Sequence, residues 1–401
     1  VIGLQLFSNA EALGYTMGDT SDYHPAGIVI SVIAFYFMDF AINYAMGPMV
    51  ALMADTCPVE MYPYGQAWFA AHNGMGKTLG YALGSVSLVH SPMFSWLGTN
   101  LRALFLLASL INIGSCALMA IKTPEKQFKR LNGMSPPTCT SLWQEIWDEF
   151  CGMPEPMLRA FIVQCLTFFA WFPTFMYMAT WMGETVYGGS ANANDPDYSL
   201  YQEGVQATSL GYMGMAIVSI VWAMVLPMLG RMLGVKLSWA FNLIFFALLL
   251  ILFTTVQAGQ RLYAVCLITL LGFPLAGTYQ IPWSIVTTVA METPEKVARF
   301  TTIFNMSQCF SEIVIALIGG LWIMMCGGKT SSIFILGVLG TLVAASLCSI
   351  VVQPDKLYNR SGSMASPSQT PVQIRPTKRA ASMDSDVEED EETSSLMGNA
   401  Y

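Results

Sequence analysis

Residues 27–53 read GIVISVIAFYFMDFAINYAMGPMVALM, a run of 27 residues with one charged side chain, Asp39. A helix of this length rises about 40 Å, enough to cross a hydrocarbon core of roughly 30 Å. In lipid every backbone N–H and C=O group must find a partner within the segment, so the run must be a helix. The stretch therefore predicts a transmembrane α-helix that carries a carboxylate.

Similar apolar runs recur up to residue 352 and explain the composition. Hydrophobic residues make up 54% of the 401 residues and charged residues 11%, whereas an average soluble domain carries roughly a quarter charged residues. The sequence predicts an all-α polytopic membrane protein, a bundle of about ten spans. These lie near 1–16, 27–53, 66–89, 99–121, 158–182, 205–229, 236–256, 262–290, 300–326 and 331–352.

A polar connector divides these spans into four and six. We expect a truncated N-terminal half-bundle at 1–121, a cytosolic connector at 122–157, a C-terminal half-bundle at 158–352 and a disordered acidic tail at 353–401. Six plus six is a common transporter plan, with two halves around a site at the membrane midplane. Because Val1 already stands inside an apolar segment, we expect two further helices before it.

The distribution of Lys and Arg predicts the orientation. If the connector and the tail are cytosolic, the cytosolic side holds nine of these residues at the span ends and the opposite side three, as the positive-inside rule requires. The nine are Lys122, Lys126, Lys129, Arg130, Arg159, Arg231, Lys236, Lys296 and Arg299, and the three are Arg102, Arg261 and Lys329.

Composition also excludes several function classes. The nine cysteines form no CxxC motif and there are three histidines, so the sequence predicts no metal site and no cofactor. A net charge of −8 leaves no basic surface for nucleic acid. We find no nucleophile–base constellation, so the chain is not expected to be an enzyme.

Three charged residues stand near the middle of predicted spans: Asp39, Lys77 and Glu312. A charge at the centre of a span costs roughly 2.5–3.5 kcal/mol on insertion scales, so each needs a reason. One interpretation is a water-filled cavity in which these groups bind substrate or carry a proton. The other is a structural charge pair between Lys77 and Asp39 or Glu312 that holds the bundle together. Both remain open at this point.

Helix breakers and aromatic residues form a second pattern. Gly47-Pro48, Pro173, Pro274 and Pro282 interrupt predicted spans, and broken helices at membrane depth are tolerated where they line a cavity or pack inside protein. Near the last three stand Trp171, Tyr279 and Trp283, among other aromatic residues. Aromatic faces suit the apolar face of a sugar, but taken alone these residues favour core packing and an interfacial aromatic belt.

Four blocks in the same order carry a family resemblance. They read DFAINYAMGPMVALMAD at 39–55, GKTLGYA at 76–82, WFP at 171–173 followed by WMGETVYGG at 181–189, and LGFPLAGTYQIP at 271–282. The chain resembles plant-type sucrose–proton symporters and the animal sucrose-transporter-like proteins of the glycoside-pentoside-hexuronide cation symporter group, in the major facilitator superfamily. The resemblance implies a bundle of twelve helices, of which the first two would be absent here.

The resemblance also implies roles for individual residues. Asp39 would be the proton-coupling group, with Asn43 and Glu312 as sugar-facing polar partners and Trp171, Tyr279 and Trp283 lining or packing the cavity. The chain departs from the family at several charged or polar positions, where it has Val50 for Arg, Lys77 for Asn, Met178 and Thr180 for two acids, and Glu184 for Arg.

We therefore expect proton-coupled transport of sucrose or a similar disaccharide, in the plasma membrane or a vacuolar or endosomal membrane. The alternatives are a transporter-like sensor that moves no substrate and a proton or ion conduit. In the tail, Lys378 to Ser382 resembles a basophilic kinase site, and Glu392 to Met397 resembles an acidic signal for a sorting adaptor. The expected partners are a sugar, a proton and the lipid bilayer.

Overall fold

The computed structural model describes residues 1–20, 24–56, 62–123, 138–290 and 297–352. The longer regular elements in these ranges are α-helices and no strand occurs in them, which confirms the all-α fold. Seven helices of the described residues are long and apolar enough to cross a membrane, as expected for a multi-pass membrane protein. Connector residues 124–137 and the tail at 353–401, with its kinase and adaptor signals, lie outside the described residues.

Helices occupy all ten predicted spans. Before the connector these are α1 (Ile2–Ser8), α2 (Ala10–Thr16), α3 (Pro25–Thr56), α4 (Tyr62–Gly84) and α5 (Asn100–Lys122). The connector contains α6 (Cys139–Cys151). After it come α7 (Glu155–Trp181), α8 (Tyr198–Thr255), α9 (Arg261–Leu270), α10 (Gly272–Ala290), α11 (Val297–Met325) and α12 (Ser332–Leu347).

The structure divides some spans differently from the prediction. The first, 1–16, is two short helices that meet at Asn9, and the span at 262–290 is divided between α9 and α10 at Leu271. Two predicted spans join in α8, which is broken at Gly234 by a left-handed backbone (φ 77°, ψ 166°) that glycine adopts readily. Beside the break Ser238 donates a hydrogen bond to the carbonyl oxygen of Leu229, so the two segments of α8 lie against each other.

The connector holds a helix, α6, that the sequence prediction left out. Its start is capped by Thr138, whose hydroxyl accepts a hydrogen bond from the backbone of Ser141. Its Phe150 packs edge-on against Phe161 of α7, with ring centres 5.7 Å apart. The guanidinium of Arg299 on α11 lies 3.3 Å from Glu149 of α6. These contacts attach α6 to the helices of the C-terminal part.

Two clusters of buried side chains hold helices α7 to α12 together. The first includes Trp171, Trp181, Phe246, Phe253 and Phe334, and the second includes Met157, Trp239, Ile285 and Phe304. Lipid tails are as apolar as these side chains, so close van der Waals packing rather than the hydrophobic effect favours such contacts between helices. One close approach uses two glycines: a methyl group on Gly204 of α8 would lie 2.6 Å from the Cα of Gly183.

Candidate functional site

A polar strip along α11 is the first part of the site. Asn305, Gln308 and Glu312 follow one another at spacings of three and four residues, so they project from one side of an otherwise apolar helix. The adjoining side packs on α7, where Ser311 donates to the carbonyl oxygen of Cys165 at 2.5 Å. This contact orients α11 and leaves Gln308 half-buried and Glu312 exposed.

Tyr279 of α10 adds an aromatic ring to this strip. Its hydroxyl lies near the side chain of Gln308. Its ring packs edge-on against Phe168 of α7, with centres 5.9 Å apart, and 39% of the residue remains exposed. Tyr279 is therefore fixed from two sides and still presents a surface that a ligand could touch.

Lys77 of α4 brings a positive charge to the same place. Its ammonium lies 5.6 Å from the centre of the Tyr279 ring, within the range of a cation–π interaction. Within the described ranges Lys77 forms no ion pair. The predicted pairing of Lys77 with Asp39 or Glu312 stays a prediction.

Two carboxylates from different parts of the chain lie within electrostatic range of each other. Asp39 on α3 is close enough to Glu312 on α11 for the two charges to interact, and both also act on the thiol of Cys309. Asn43 follows Asp39 by one helical turn on the same side of α3, but its side chain lies outside the described part of the structure.

A buried cluster of side-chain hydrogen bonds surrounds the prolines of α10, and the sequence analysis did not predict it. Pro282 has no N–H, so the carbonyl of Thr278, four residues earlier, loses its helical donor. Gln164 of α7, which is completely buried, supplies the missing hydrogen bond at 3.1 Å. Asn242 of α8 similarly donates to the carbonyl oxygen of Pro274 at 3.1 Å. These amide side chains fix α10 against α7 and α8.

Trp171 belongs to this buried hydrogen-bond cluster rather than to an accessible surface. Its indole N–H donates to the hydroxyl of Thr278 at 2.9 Å, and its ring stacks on Phe246 and Phe175 with centres 4.2 and 5.0 Å apart. The residue is completely buried. In this conformation Trp171 packs the bundle, which is one of the two alternatives predicted for it, and its contact with a substrate stays a prediction.

Trp283 stands one turn after Tyr279 on α10. It is half-buried, and its ring meets Phe304 of α11 edge-on at 5.2 Å. The spacing of four residues places Trp283 on the same side of α10 as Tyr279. The two aromatic residues therefore form one strip along α10 that includes both packed and accessible surface.

A separate network lies at the other end of the C-terminal helices. Arg261 at the start of α9 lies 4.1 Å from the ring centre of Tyr187 and 3.4 Å from the carboxylate of Glu203. Burial raises the pKa of Tyr187, and Arg261 acts in the opposite direction. Glu184 accepts a hydrogen bond from Thr330 at 3.3 Å. This local polar contact gives the Glu184 carboxylate a partner.

Comparison with known proteins gives one family and a consistent set of relatives. The family model described as Major Facilitator Superfamily matches residues 1–316. Sucrose transport protein SUT1 of Oryza sativa subsp. japonica is 29% identical, over 77% of this chain and 65% of the relative. SUT5 of Oryza sativa subsp. indica is 24% identical over 80% and 66%, and SUT3 of subsp. japonica is 25% identical over 88% and 76%.

These matches confirm the resemblance recognised in the four sequence blocks. They also confirm the expectation of a polytopic membrane protein that is not an enzyme, because the relatives are named as transport proteins. The chain spans 65% of the length of the first of these relatives.

Proposed function

Since the chain belongs to the Major Facilitator Superfamily, we propose that it is a secondary active transporter of sucrose or a similar disaccharide or glycoside, driven by proton symport. The names of the rice relatives support a sugar as the transported substrate. The observation that supports proton coupling is the proximity of the Asp39 and Glu312 carboxylates. These belong to helices on opposite sides of the connector.

Asp39 is the proton-coupling group in this proposal. When Asp39 and Glu312 are both ionised they repel, and the repulsion opposes closure of α3 on α11. A proton on Asp39 removes that repulsion. Closure on one side of the membrane then accompanies opening on the other, as in alternating access by two half-bundles. Loss of the proton on the far side restores the repulsion and the open gap.

The sugar occupies the surface between these carboxylates and the aromatic strip of α10. The exposed part of Tyr279 and the neighbouring Trp283 offer apolar faces for the sugar ring. Asn43, Gln308 and Glu312 offer hydrogen-bond partners for hydroxyl groups. A sugar bound here touches helices from both halves, so its binding energy can favour the closed arrangement.

The proposal is tested with purified protein in liposomes. An inward proton gradient is expected to drive uptake of labelled sucrose, and Asp39→Asn, which keeps the shape and removes the titratable group, is expected to abolish the dependence on the gradient. Asp195→Asn, the same change in an exposed loop, is the control. Gradient-driven uptake that is equal in wild type and Asp39→Asn would refute the role of Asp39, and proton current without sugar would favour a conduit.

A sensor that binds sugar without moving it is the second candidate. The observation in its favour is Met178, which stands where the family has an acid and is completely buried in an apolar cluster. Where the resemblance implies an acid, this chain therefore has a buried apolar side chain. Sucrose binding to the detergent-solubilised protein, together with no uptake in liposomes, would support the sensor over the transporter.

We also propose that the tail binds a kinase or a sorting adaptor and directs the protein to its membrane. The basis is the sequence of residues 378–397 alone. Removal of residues 360–401 should change the amount at the cell surface and leave uptake per surface molecule unchanged. A fall in uptake per molecule at constant location would contradict this.

A further inference from the structure

Tyr81 of α4 lies one helical turn after Lys77 and close to Tyr279. The spacing of four residues places Lys77 and Tyr81 on one side of α4. Lys77 lies over the ring of Tyr279, and the hydroxyl of Tyr81 is within electrostatic range of the hydroxyl of Tyr279. Tyr81 therefore borders the surface assigned above to the sugar.

The side of α4 that carries Tyr81 faces other helices rather than the bilayer. A methyl group on Gly74 would lie 3.1 Å from the side chain of Ile220 on α8, and one on Gly84 would lie 3.0 Å from the hydroxyl of Ser209. The later residue of α4 thus meets the earlier residue of α8, so the two helices run antiparallel. Tyr81 stands between these two contacts.

Tyr212 of α8 supports the ring of Tyr81. The two ring centres are 5.3 Å apart, with an angle of 46° between the planes. Tyr212 is itself fixed, because its hydroxyl donates to the carbonyl oxygen of Phe175 at 3.5 Å and its ring meets that of Phe175 edge-on at 6.1 Å. Phe175 in turn stacks on the buried Trp171. A continuous row of aromatic rings therefore holds Tyr81 in place from the core of the C-terminal helices.

The hydroxyl of Tyr81 is available to a ligand. It forms no hydrogen bond with any residue that the structure describes, and it is not enclosed, since Tyr81 is half-buried. The ammonium of Lys77, one turn away, is a second donor on the same side of α4. These donors complement the carboxylates of Asp39 and Glu312, which accept hydrogen bonds. A sugar hydroxyl both donates and accepts, so it can pair with either group.

Tyr81 and Trp283 extend the aromatic surface to opposite sides of Tyr279. The ion pair between the beginnings of α9 and α8 indicates that α10 runs in the same direction as the first part of α8, and hence opposite to α4. From the level at which Lys77 meets Tyr279, four residues of α4 lead to Tyr81 and four residues of α10 lead the other way to Trp283. At 1.5 Å per residue the two are about 12 Å apart along the helices. This length gives room for two sugar rings in a row.

We propose that Tyr81 is a further sugar-binding residue, whose hydroxyl forms a hydrogen bond with a hydroxyl of the sugar ring farther from Trp283. This role rests on the sugar site of the proposed function and identifies one end of it. Because Tyr212 fixes the ring of Tyr81, the hydrogen bond is made only by a sugar with a hydroxyl at the matching position. Tyr81 therefore contributes to the choice among disaccharides.

The test measures binding of sucrose and its monodeoxy analogues to the purified full chain in detergent. Tyr81→Phe keeps the ring against Tyr212 and removes the hydroxyl, so the Kd for sucrose should rise about fivefold, the effect of one lost hydrogen bond. Wild type and Tyr81→Phe should bind one of the monodeoxy analogues equally, because that sugar lacks the partner of the Tyr81 hydroxyl. Tyr212→Phe, the same change in the supporting residue, is the matched control and should leave the Kd unchanged.

Two results would overturn the role of Tyr81 alone. One is an equal Kd for sucrose in wild type and Tyr81→Phe. The other is a rise of the same size for sucrose and for every monodeoxy analogue, which would indicate a general distortion of the site. A wild type that binds no sucrose would overturn the proposed sugar and the role of Tyr81 together, so the two failures are distinguishable. The measurement depends neither on proton coupling nor on transport.

Discussion

The ammonium of Lys77 lies over the ring of Tyr279, 5.6 Å from its centre, so a residue before the connector touches a residue after it. In the membrane the Tyr279 ring stabilises the ammonium of Lys77 without neutralising its charge. The site thus combines one cation and two carboxylates, whose pairing would change in the alternating access that we propose.

The first prediction concerns this contact. A double-mutant cycle with Lys77→Met and Tyr279→Leu should give a coupling of about 0.5–2 kcal/mol in thermal unfolding, the range of a cation–π pair. Tyr279→Phe keeps the ring and should retain most of this coupling. A parallel cycle of Lys77→Met with Asp39→Asn or Glu312→Gln tests the predicted charge pair. If only the carboxylate cycles show coupling, the resting partner of Lys77 is an acid.

The second prediction concerns Glu312. Glu312→Gln removes one of the two like charges whose repulsion is part of the proposed coupling, so sucrose uptake should depend less steeply on pH than in the wild type. Uptake as a function of pH in liposomes measures the change. Cys309→Ser, which keeps the size of a neighbour of both carboxylates, is the control. An unchanged pH profile in Glu312→Gln would separate Glu312 from proton coupling.

The third prediction concerns the carbonyl freed by Pro282. Gln164→Leu removes the side-chain donor of this carbonyl and should lower the free energy of unfolding by about 1–3 kcal/mol, the cost of an unpaired buried polar group. Pro282→Ala restores an N–H to the helix. The double variant Gln164→Leu, Pro282→Ala should therefore recover much of the loss. If Gln164→Leu costs as much stability in the Pro282→Ala background as in the wild type, the hydrogen bond is not the cause of the loss.

The helices were predictable because a long apolar run has one stable form in lipid. Contacts between distant helices were not, since nothing in the order of residues indicates that Lys77 meets Tyr279. Some missed features did have a local signal. Pro282 implied an unpaired carbonyl at Thr278, and Thr138 before α6 is a typical N-cap.

The predicted site residues also differ in how much of their placement could be predicted from the sequence. The resemblance pointed to Asp39, Asn43 and Glu312, and a spacing of four residues could have added Gln308 to Glu312. Burial could not be read from spacing. Trp171 and Tyr279 are similar as sequence signals, yet one is completely buried and the other is 39% exposed.

The fourth prediction uses that difference. Trp171→Phe removes the hydrogen bond to Thr278 and part of a stacked cluster, so it should destabilise the protein by about 1–3 kcal/mol and leave the KM for sucrose nearly unchanged. Trp283→Phe, at a half-buried position near Tyr279, should raise KM with a smaller loss of stability. Thermal unfolding and uptake kinetics measure the two effects. A raised KM in stable Trp171→Phe would return that residue to the binding surface.

The last prediction concerns α6. Arg299 holds this helix through Glu145 and Glu149, at 3.7 and 3.3 Å, but its side chain is 55% exposed, so the ion pairs contribute about 0–1 kcal/mol. Arg299→Gln should therefore leave global stability nearly unchanged and raise amide hydrogen exchange in residues 139–151 by no more than about fivefold. Lys329→Gln, far along the chain, should not raise it. Unchanged exchange in Arg299→Gln would mean that Phe150, packed on Phe161, anchors α6 by itself.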